Sequence, residues 1–362
     1  MTALSDSGGH TASLLGGFAA WLQTRSGYER AQVVECRRAS VSNGYSFDTL
    51  KLVVERDGAP REQLILQIPP DRPGVHPPGD LAAQYRLMDG LGGVQDLPMA
   101  CCRWYEGSRE VLGRPFMVVE NVDGLVPPDA PETYVAAGWV RDATTSERAR
   151  MWDTTIDALG TLAKVDPYKV GLTGWPDRNR SCAAQHLDEY HRRFDWSRTE
   201  LLPHVLPLYR ELQGWLDAHV PPTEHIGVVW GDGRFGNIIY RDFQPVALLD
   251  WETVTMGDPE SDIAYFLMMH EAYMRHETLR LGEVAPMTGF GTNGDAVERY
   301  ASVSGRPVRF FDYYWLFNAY RLLVFTQRVS ALQIQAGVLT VDQAEAARWM
   351  PGLMPVIEQR LG

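Results

Sequence analysis

Lysine is nearly missing from this chain. Of its 34 basic residues only Lys51, Lys164 and Lys169 are lysines, so chemistry that needs an ammonium group has three candidates. Cysteine is sparse as well. Cys36, Cys101, Cys102 and Cys182, spread over 362 residues, make no disulfide framework, and no CxxC pair suggests zinc. A reducing cytoplasm is the expected home. No apolar run approaches the roughly 18 to 20 residues of a membrane span. No basic residue precedes Arg25, so the charged start of a signal peptide is not expected. Basic charge as a whole is in deficit, 34 residues against 46 acidic ones, for a net charge of −12. That balance argues against nucleic-acid and anionic-membrane partners and leaves room for a cationic small molecule. No GxSxG elbow, Walker loop or paired-glycine dinucleotide fingerprint follows a strand pattern.

What is present is a globular composition, 45% hydrophobic and 10% aromatic, in a chain long enough for two domains or one two-lobed unit. Leu14, Leu15, Phe18 and Leu22 follow helical spacing. Residues 49–55 and 63–68 flank Asp57-Gly58 in the pattern of an antiparallel hairpin. A Pro- and Gly-rich loop covers 69–79, and a helix over 81–91 ends at Gly92-Gly93. Strands are expected at 100–106 and 115–120, so residues 1–121 read as a small lobe on an antiparallel sheet. Residues 122–362 read as a larger, mostly helical lobe. It opens with an inserted loop or lid to about residue 149, followed by helices at 151–165, 183–194, 204–219, 260–280, 293–304, 310–334 and 341–360. The aromatic run from Phe310 to Phe317 reads as core of this lobe. The predicted fold class is α+β.

Within the helical half lies one strand-like island, residues 226–250. It runs Val228-Val-Trp-Gly-Asp232-Gly-Arg-Phe-Gly-Asn237-Ile-Ile-Tyr240 and then Pro245-Val-Ala-Leu-Leu-Asp250-Trp-Glu252. An apolar strand delivers Asp232 into a loop with two glycines, Asn237 opens a second strand, and a buried strand ends in Asp250. Taken singly, each of the three reads equally well as a turn residue. Together, two carboxylates and a carboxamide at strand ends are the set phosphoryl transfer requires. One Asp orients the attacking hydroxyl, while an Asn and a second Asp hold the metal ions that neutralise the nucleotide phosphates.

Residues 228–270 resemble the signature of the aminoglycoside phosphotransferase family, a branch of the protein-kinase-like superfamily. The resemblance rests on Trp230 to Asn237, on Leu249-Asp-Trp-Glu252 and on Gly257-Asp-Pro-Glu-Ser-Asp-Ile-Ala264. It implies a two-lobed kinase-like fold, ATP or GTP bound between the lobes, Mg²⁺ on the phosphates, and a small-molecule hydroxyl as acceptor. By position it implies Asp232 as catalytic base and Asn237 and Asp250 as metal ligands. Asp262 would support the catalytic loop, equally readable as a helix N-terminal acid, and Trp230, Arg234 and Glu252 stand beside the same set. Glu120 and Val122 fall where the hinge meets adenine. Ser42, Asn43 and Gly44 fall in the place of the turn that covers the phosphates. The oligomeric state is left open.

Two departures stand out. Trp230 occupies a position that is usually His in the family. In the N-lobe, the Lys or Arg that grips the phosphates and the Glu that pairs with it are matched by Gln67 and Gln84. Two amides can hydrogen-bond each other without a charge cost, but phosphate binding should weaken, since a charge-assisted bond is roughly twice as strong as a neutral one. Lys51 and Arg72 are the nearby cations. The replacement keeps two other readings open, a kinase-fold binding or regulatory module and adenylyl transfer. Acceptors in the family include aminoglycosides, macrolides, choline-like amines and hydroxyacyl thioesters.

Overall fold

In a computed structural model of the chain, residues 8–38, 47–70, 74–75, 79–129, 132–173, 177, 179–197, 206–282, 287–346 and 350–362 are described. The chain divides into two compact units, one of Met1–Gly92 with Ala100–Val122, the other of Gly93–Met99 with Asp123–Gly362.

The first unit contains α1 (Gly8–Leu22), β1 (Gln32–Arg38), β2 (Asp48–Glu55), β3 (Glu62–Ile68), α2 (Leu81–Gly92), β4 (Cys102–Glu106) and β5 (Phe116–Glu120). Its strands form one antiparallel sheet in the order β1-β2-β3-β5-β4. Side chains alternate across a strand, so Leu50, Leu52 and Val54 of β2 share a face with Leu64, Leu66 and Ile68 of β3 and with Phe116 and Val118 of β5. Phe18, Trp21 and Leu22 of α1 complete the core on that face. The opposite face carries Thr49, Lys51, Ile65, Gln67 and Met117, with Thr49 opposite Gln67, Lys51 opposite Ile65 and Gln67 opposite Met117. The sequence reading missed β1. It is an edge strand with Glu35, Arg37 and Arg38 and a register shift between Val33 and Glu35, both of which break the apolar alternation.

In the second unit α3 (Trp139–Asp142), α4 (Thr145–Leu162), α5 (Cys182–Trp196) and α6 (Leu206–Ala218) precede a strand region of β6 (Gly227–Val229), β7 (Ile238–Arg241), β8 (Gln244–Leu248) and β9 (Thr255–Gly257). Then follow α7 (Glu260–Leu281), α8 (Asn293–Ser304), α9 (Phe311–Gln335), α10 (Val341–Ala346) and α11 (Met350–Leu361). Helix α7 packs on α9 and α11, and α4 on α8. The expected 151–165 helix begins earlier, at Thr145, because Thr144 and Glu147 form a capping box that satisfies its first amides. The lid read over 123–149 is therefore shorter and holds α3. Strands β7 and β8 turn through Asp242 and Phe243, whose φ angles of 51° and 59° make the left-handed two-residue turn that suits a twisted hairpin. Strand β9, three residues long and too short to show a period, pairs with β6. Tyr313, Tyr314, Trp315, Phe317 and Tyr320 are all buried in α9. Among the described residues no helix is long and apolar enough to cross a membrane.

Candidate active site

The site is assembled where β6 ends. Gly231 makes the turn with a φ of 86°, and a Cβ there would fall 2.8 Å from Thr253 Oγ1 and 2.9 Å from the Thr253 carbonyl, so only glycine fits. The two amides ahead of Asp232 are clamped by one carboxylate. Trp230 N–H donates to Asp262 Oδ2 and Gly231 N–H to Asp262 Oδ1, each at 2.8 Å. Asp262 lies in the first turn of α7 but spends both oxygens on the loop. Desolvation pushes its carboxyl up to about 6 against the pull of those two amides.

Trp230 is fully buried and stacks on Trp251 with ring centroids 5.4 Å apart. Its indole N–H is shared between the carbonyls of Leu249 (2.9 Å) and Asp250 (3.1 Å). The residue that departs from the family pattern thus ties the Asp232 loop to the segment bearing Asp250. A backbone bond from Leu249 N–H to the Asn237 carbonyl, 2.8 Å, ties the same segment to the end of the loop.

Asp232 is held by three donors. Oδ1 accepts from Arg234 Nε at 3.1 Å and from the Tyr265 hydroxyl at 2.5 Å, and Oδ2 accepts from Asn237 Nδ2 at 2.6 Å. A carboxylate offers about four acceptor positions, so one remains for an incoming hydroxyl. Burial, then the Asp232 charge, pushes the Tyr265 phenol well above its ordinary value, which keeps it a donor. Asn237 Nδ2 also donates to the Asp232 carbonyl at 2.9 Å. That leaves Asn237 Oδ1 as the unused acceptor of a side chain only 6% exposed.

Asp250 stands two residues past β8 with a φ of 57°, a left-handed conformation that a non-glycine residue adopts at a cost. Its carboxyl accepts the Glu252 N–H. Crowding by surrounding protein, then the like charge of Asp232, pushes it up to about 6; the residue itself is exposed to solvent, so the like charge 18 positions earlier in the chain is the cause that the geometry supports. Asn237 Oδ1 and the Asp250 carboxylate are hard oxygen donors. They suit Mg²⁺, which keeps several waters and is held by one or two protein carboxylates together with substrate phosphates. Among the described residues no group of three or more His, Cys, Asp or Glu side chains forms a metal cage.

Sequence reading did not single out Asp129, Tyr265 or Tyr273. Arg234 reaches past Asp232 through Nη1 to Asp129 Oδ2 and to the Tyr273 hydroxyl at 3.3 Å, and Tyr273 also donates to Asp129. Burial works against the Arg234 charge, and Asp232 and Asp129 outweigh it. Gly236 leaves room for this contact, since a Cβ there would lie 2.7 Å from Arg234 Nη1 and 2.9 Å from Asp129 Oδ2. Asp129 sits in the proline-rich stretch, where no periodicity marks it.

In the first unit, Glu120 closes β5 and donates its N–H to the Cys101 carbonyl at 2.9 Å, and Val122 is the unit's last residue. No hydrogen bond joins Gln67 and Gln84 among the described residues, and α2 makes contact with β4 and β5. Gln67 Oε1 is buried with no hydrogen-bond partner. Lys51 lies on the same sheet face, one pair along on the neighbouring strand. Ser42, Asn43, Gly44 and Arg72 lie outside the described residues.

Residues 38–283 match the phosphotransferase enzyme family. The chain belongs to that family. The kinase-like fold is shared with a candidate aminoglycoside phosphotransferase from Ralstonia eutropha JMP134, at a TM-score of 0.68 and 22% identity over 96% of both chains. It is shared too with a thermostable mutant of aminoglycoside phosphotransferase APH(4)-Ia in ternary complex with AMP-PNP and hygromycin B. There the TM-score is 0.55 and the identity 12%, covering 91% of this chain and 97% of that one. By sequence the chain is similar to probable acyl-CoA dehydrogenase IBR3 of Arabidopsis thaliana, 24% identical over 298 residues, or 76% of this chain and 33% of that protein. The chain thus spans about a third of the length of that curated relative.

Proposed function

We propose that this phosphotransferase-family protein transfers the terminal phosphoryl group of ATP, with Mg²⁺, to a hydroxyl of a small molecule. The observation that carries the reading is Asp232, fixed by Arg234, Tyr265 and Asn237 with one acceptor position to spare. In this reading Asp232 accepts a hydrogen bond from the acceptor hydroxyl, orients it, and takes its proton as the new P–O bond forms and the bond from the γ-phosphorus to the β–γ bridging oxygen breaks, ADP leaving with that oxygen. Asn237 Oδ1 and Asp250 hold the metal, which when bound supplies positive charge for the phosphate oxygens. Asp262 fixes the loop through the amides of Trp230 and Gly231, and Arg234 keeps Asp232 in place. From the first unit, Glu120 and Val122 are assigned to adenine and Lys51 to the phosphates in place of the usual cation at Gln67.

A second reading is favoured by one observation, the unpaired Oε1 of Gln67. It makes the chain a kinase-fold binding module with weakened phosphate affinity. Nucleotide binding measured with and without Mg²⁺, followed by ATP consumption over amino sugars, macrolides, amino alcohols and hydroxyacyl thioesters, separates the two. Binding and turnover support the phosphotransferase. Binding without turnover of any acceptor supports the module. No binding of ATP–Mg at millimolar concentrations removes the first reading.

A further inference from the structure

The second unit holds a cavity of about 400 Å³, lined in part by Glu252, Thr253, His186, Tyr190, Arg193 and Arg321. Its volume falls within the range of small-ligand sites. Its charge runs against that of the chain. The chain carries −12, whereas this wall carries four arginines against three carboxylates.

The pairing inside the wall leaves one cation over. Arg180 is matched by Asp188 at 2.6 Å. Arg192 and Arg193 share one partner, Glu189, at 2.8 and 2.9 Å. Glu252 supplies the third carboxylate. His186 brings no charge near neutral pH, because burial and then Arg321 push its imidazole down to about 4.

Arg321 is the exception to ordinary practice. It is 8% exposed. Among the described residues no carboxylate lies within ion-pair contact of it; the buried Asp262 carboxylate acts on it from farther off, and the Tyr190 hydroxyl stands beside it. Nη1 donates to Asn318 Oδ1 and Nη2 to the Gly231 carbonyl, both at 2.8 Å, and Nε has no hydrogen-bond partner. The rings of Tyr190, Tyr265 and Phe317 surround the guanidinium at 5.1, 5.7 and 5.9 Å. Aromatic faces offset part of the desolvation cost, but a buried cation is normally matched by an anion. Asp262 answers part of that charge at a distance, and the cavity is the open space that Arg321 lines. The site touches the chemistry at two places, since Gly231 precedes Asp232 and the Tyr265 hydroxyl donates to Asp232.

We infer that this cavity takes a compact oxyanion, a carboxylate or a phosphoryl group, paired with the Arg321 guanidinium, and that this group belongs to the acceptor. The acceptor class is then an anionic hydroxy compound rather than the cationic molecule that the net charge leaves room for. The assignment of the oxyanion to the acceptor rests on the phosphotransferase reading, while the oxyanion site itself does not.

The test is calorimetric binding without nucleotide, using four probes at up to about 10 mM: 3-hydroxybutyrate, its neutral methyl amide, glycerol 3-phosphate and choline. One or both oxyanions are expected to bind, with the amide and choline failing to bind, and the comparison of the two oxyanions tells carboxylate from phosphoryl. Arg321→Gln should weaken the oxyanion roughly 10- to 100-fold, the loss of one charge-assisted bond, and Arg321→Lys should weaken it less. If Arg321→Gln does not fold, Arg193→Gln on the same wall should still lower oxyanion affinity severalfold. Binding of choline as tight as that of the oxyanions, absence of any oxyanion binding, or unchanged affinity in the folded variants overturns the site. Asp232→Asn must leave oxyanion binding in place. Oxyanion binding without ATP consumption sinks the phosphotransferase reading alone, and ATP consumption with choline alone sinks the anionic assignment alone.

Discussion

Arg234 donates through Nε to Oδ1 of Asp232 at 3.1 Å while its Nη1 holds Asp129 from the segment that precedes α3. One guanidinium therefore fixes the carboxylate assigned to the chemistry and fastens the opening stretch of the second unit to the catalytic loop. Asp232→Asn should lower turnover by roughly 10² to 10⁴ and leave ATP–Mg affinity nearly unchanged. Arg234→Gln should lower turnover by about tenfold, the equivalent of one charge-assisted bond of about 1.4 kcal/mol. Steady-state kinetics with direct nucleotide binding checks both, and unchanged turnover in Asp232→Asn would falsify its assignment.

Asn237 and Asp250 are assigned to the metal by different atoms of different segments. Asn237→Ala also removes the donor to Asp232 Oδ2, whereas Asp250→Asn removes only charge. Both variants should shift the Mg²⁺ dependence of nucleotide binding to higher concentration, roughly tenfold or more. Titrating Mg²⁺ at fixed ATP reads this, and a wild-type Mg²⁺ midpoint in both variants would reassign the ligands.

Lys51 and Gln67 share a sheet face. Lys51→Met should weaken ATP–Mg binding by about tenfold, and the double change Gln67→Lys with Gln84→Glu should restore little in the wild-type background. A large gain of affinity from the double change alone, with Lys51→Met silent, would show that no cation had replaced the missing one.

Trp230→Phe keeps the buried ring but removes a donor shared by two carbonyls. The expected loss is about 1–2 kcal/mol of stability, with reduced turnover, because the Asp250 segment loses one of its two ties to the loop and keeps only the Leu249–Asn237 backbone bond. Urea denaturation gives the first figure. A stability equal to that of wild type would mean that water or a shifted backbone satisfies both carbonyls.

Glu260 accepts the Arg309 N–H at 2.7 Å, and desolvation, with Asp258 and Glu224 nearby, pushes its carboxyl up to about 7. A carboxyl whose pKa is raised by folding binds more protons in the native state. Its contribution is thus present at low pH and lost as pH rises from the unfolded value of about 4.5 through about 7. Glu260→Gln keeps the acceptor and removes the charge. The variant should match wild type near pH 4.5 and gain on the order of 1 kcal/mol above pH 7, read as melting temperature against pH. A difference that is flat with pH would sink the assignment.

Strong local signals carried much of this protein. The β2–β3 alternation, the turn at Asp57-Gly58 and the Leu14, Leu15, Phe18 and Leu22 face of α1 are legible because each pattern repeats within one element. The charged edge strand β1 and the three-residue β9 are not, since neither buries a regular face. The capping box at Thr144 and Glu147 is a readable signal for the start of α4, set inside a stretch whose polar composition reads as a loop or lid.

The same division runs through the site. The residue types and spacing of Asp232, Asn237 and Asp250 follow from one contiguous stretch, so the sequence alone determined the family and the chemistry to expect. Its composition also fixed the scarcity of lysine, which leaves Lys51 as the one lysine of the first unit. Only the tertiary structure decided that Asp129, Tyr265 and Tyr273 join that trio, that Gln67 and Gln84 do not pair, and that Arg321 is a buried cation with no carboxylate in ion-pair contact among the described residues. Those facts depend on which segments far apart in the chain are packed together, and hydrogen bonding and desolvation act on that proximity alone.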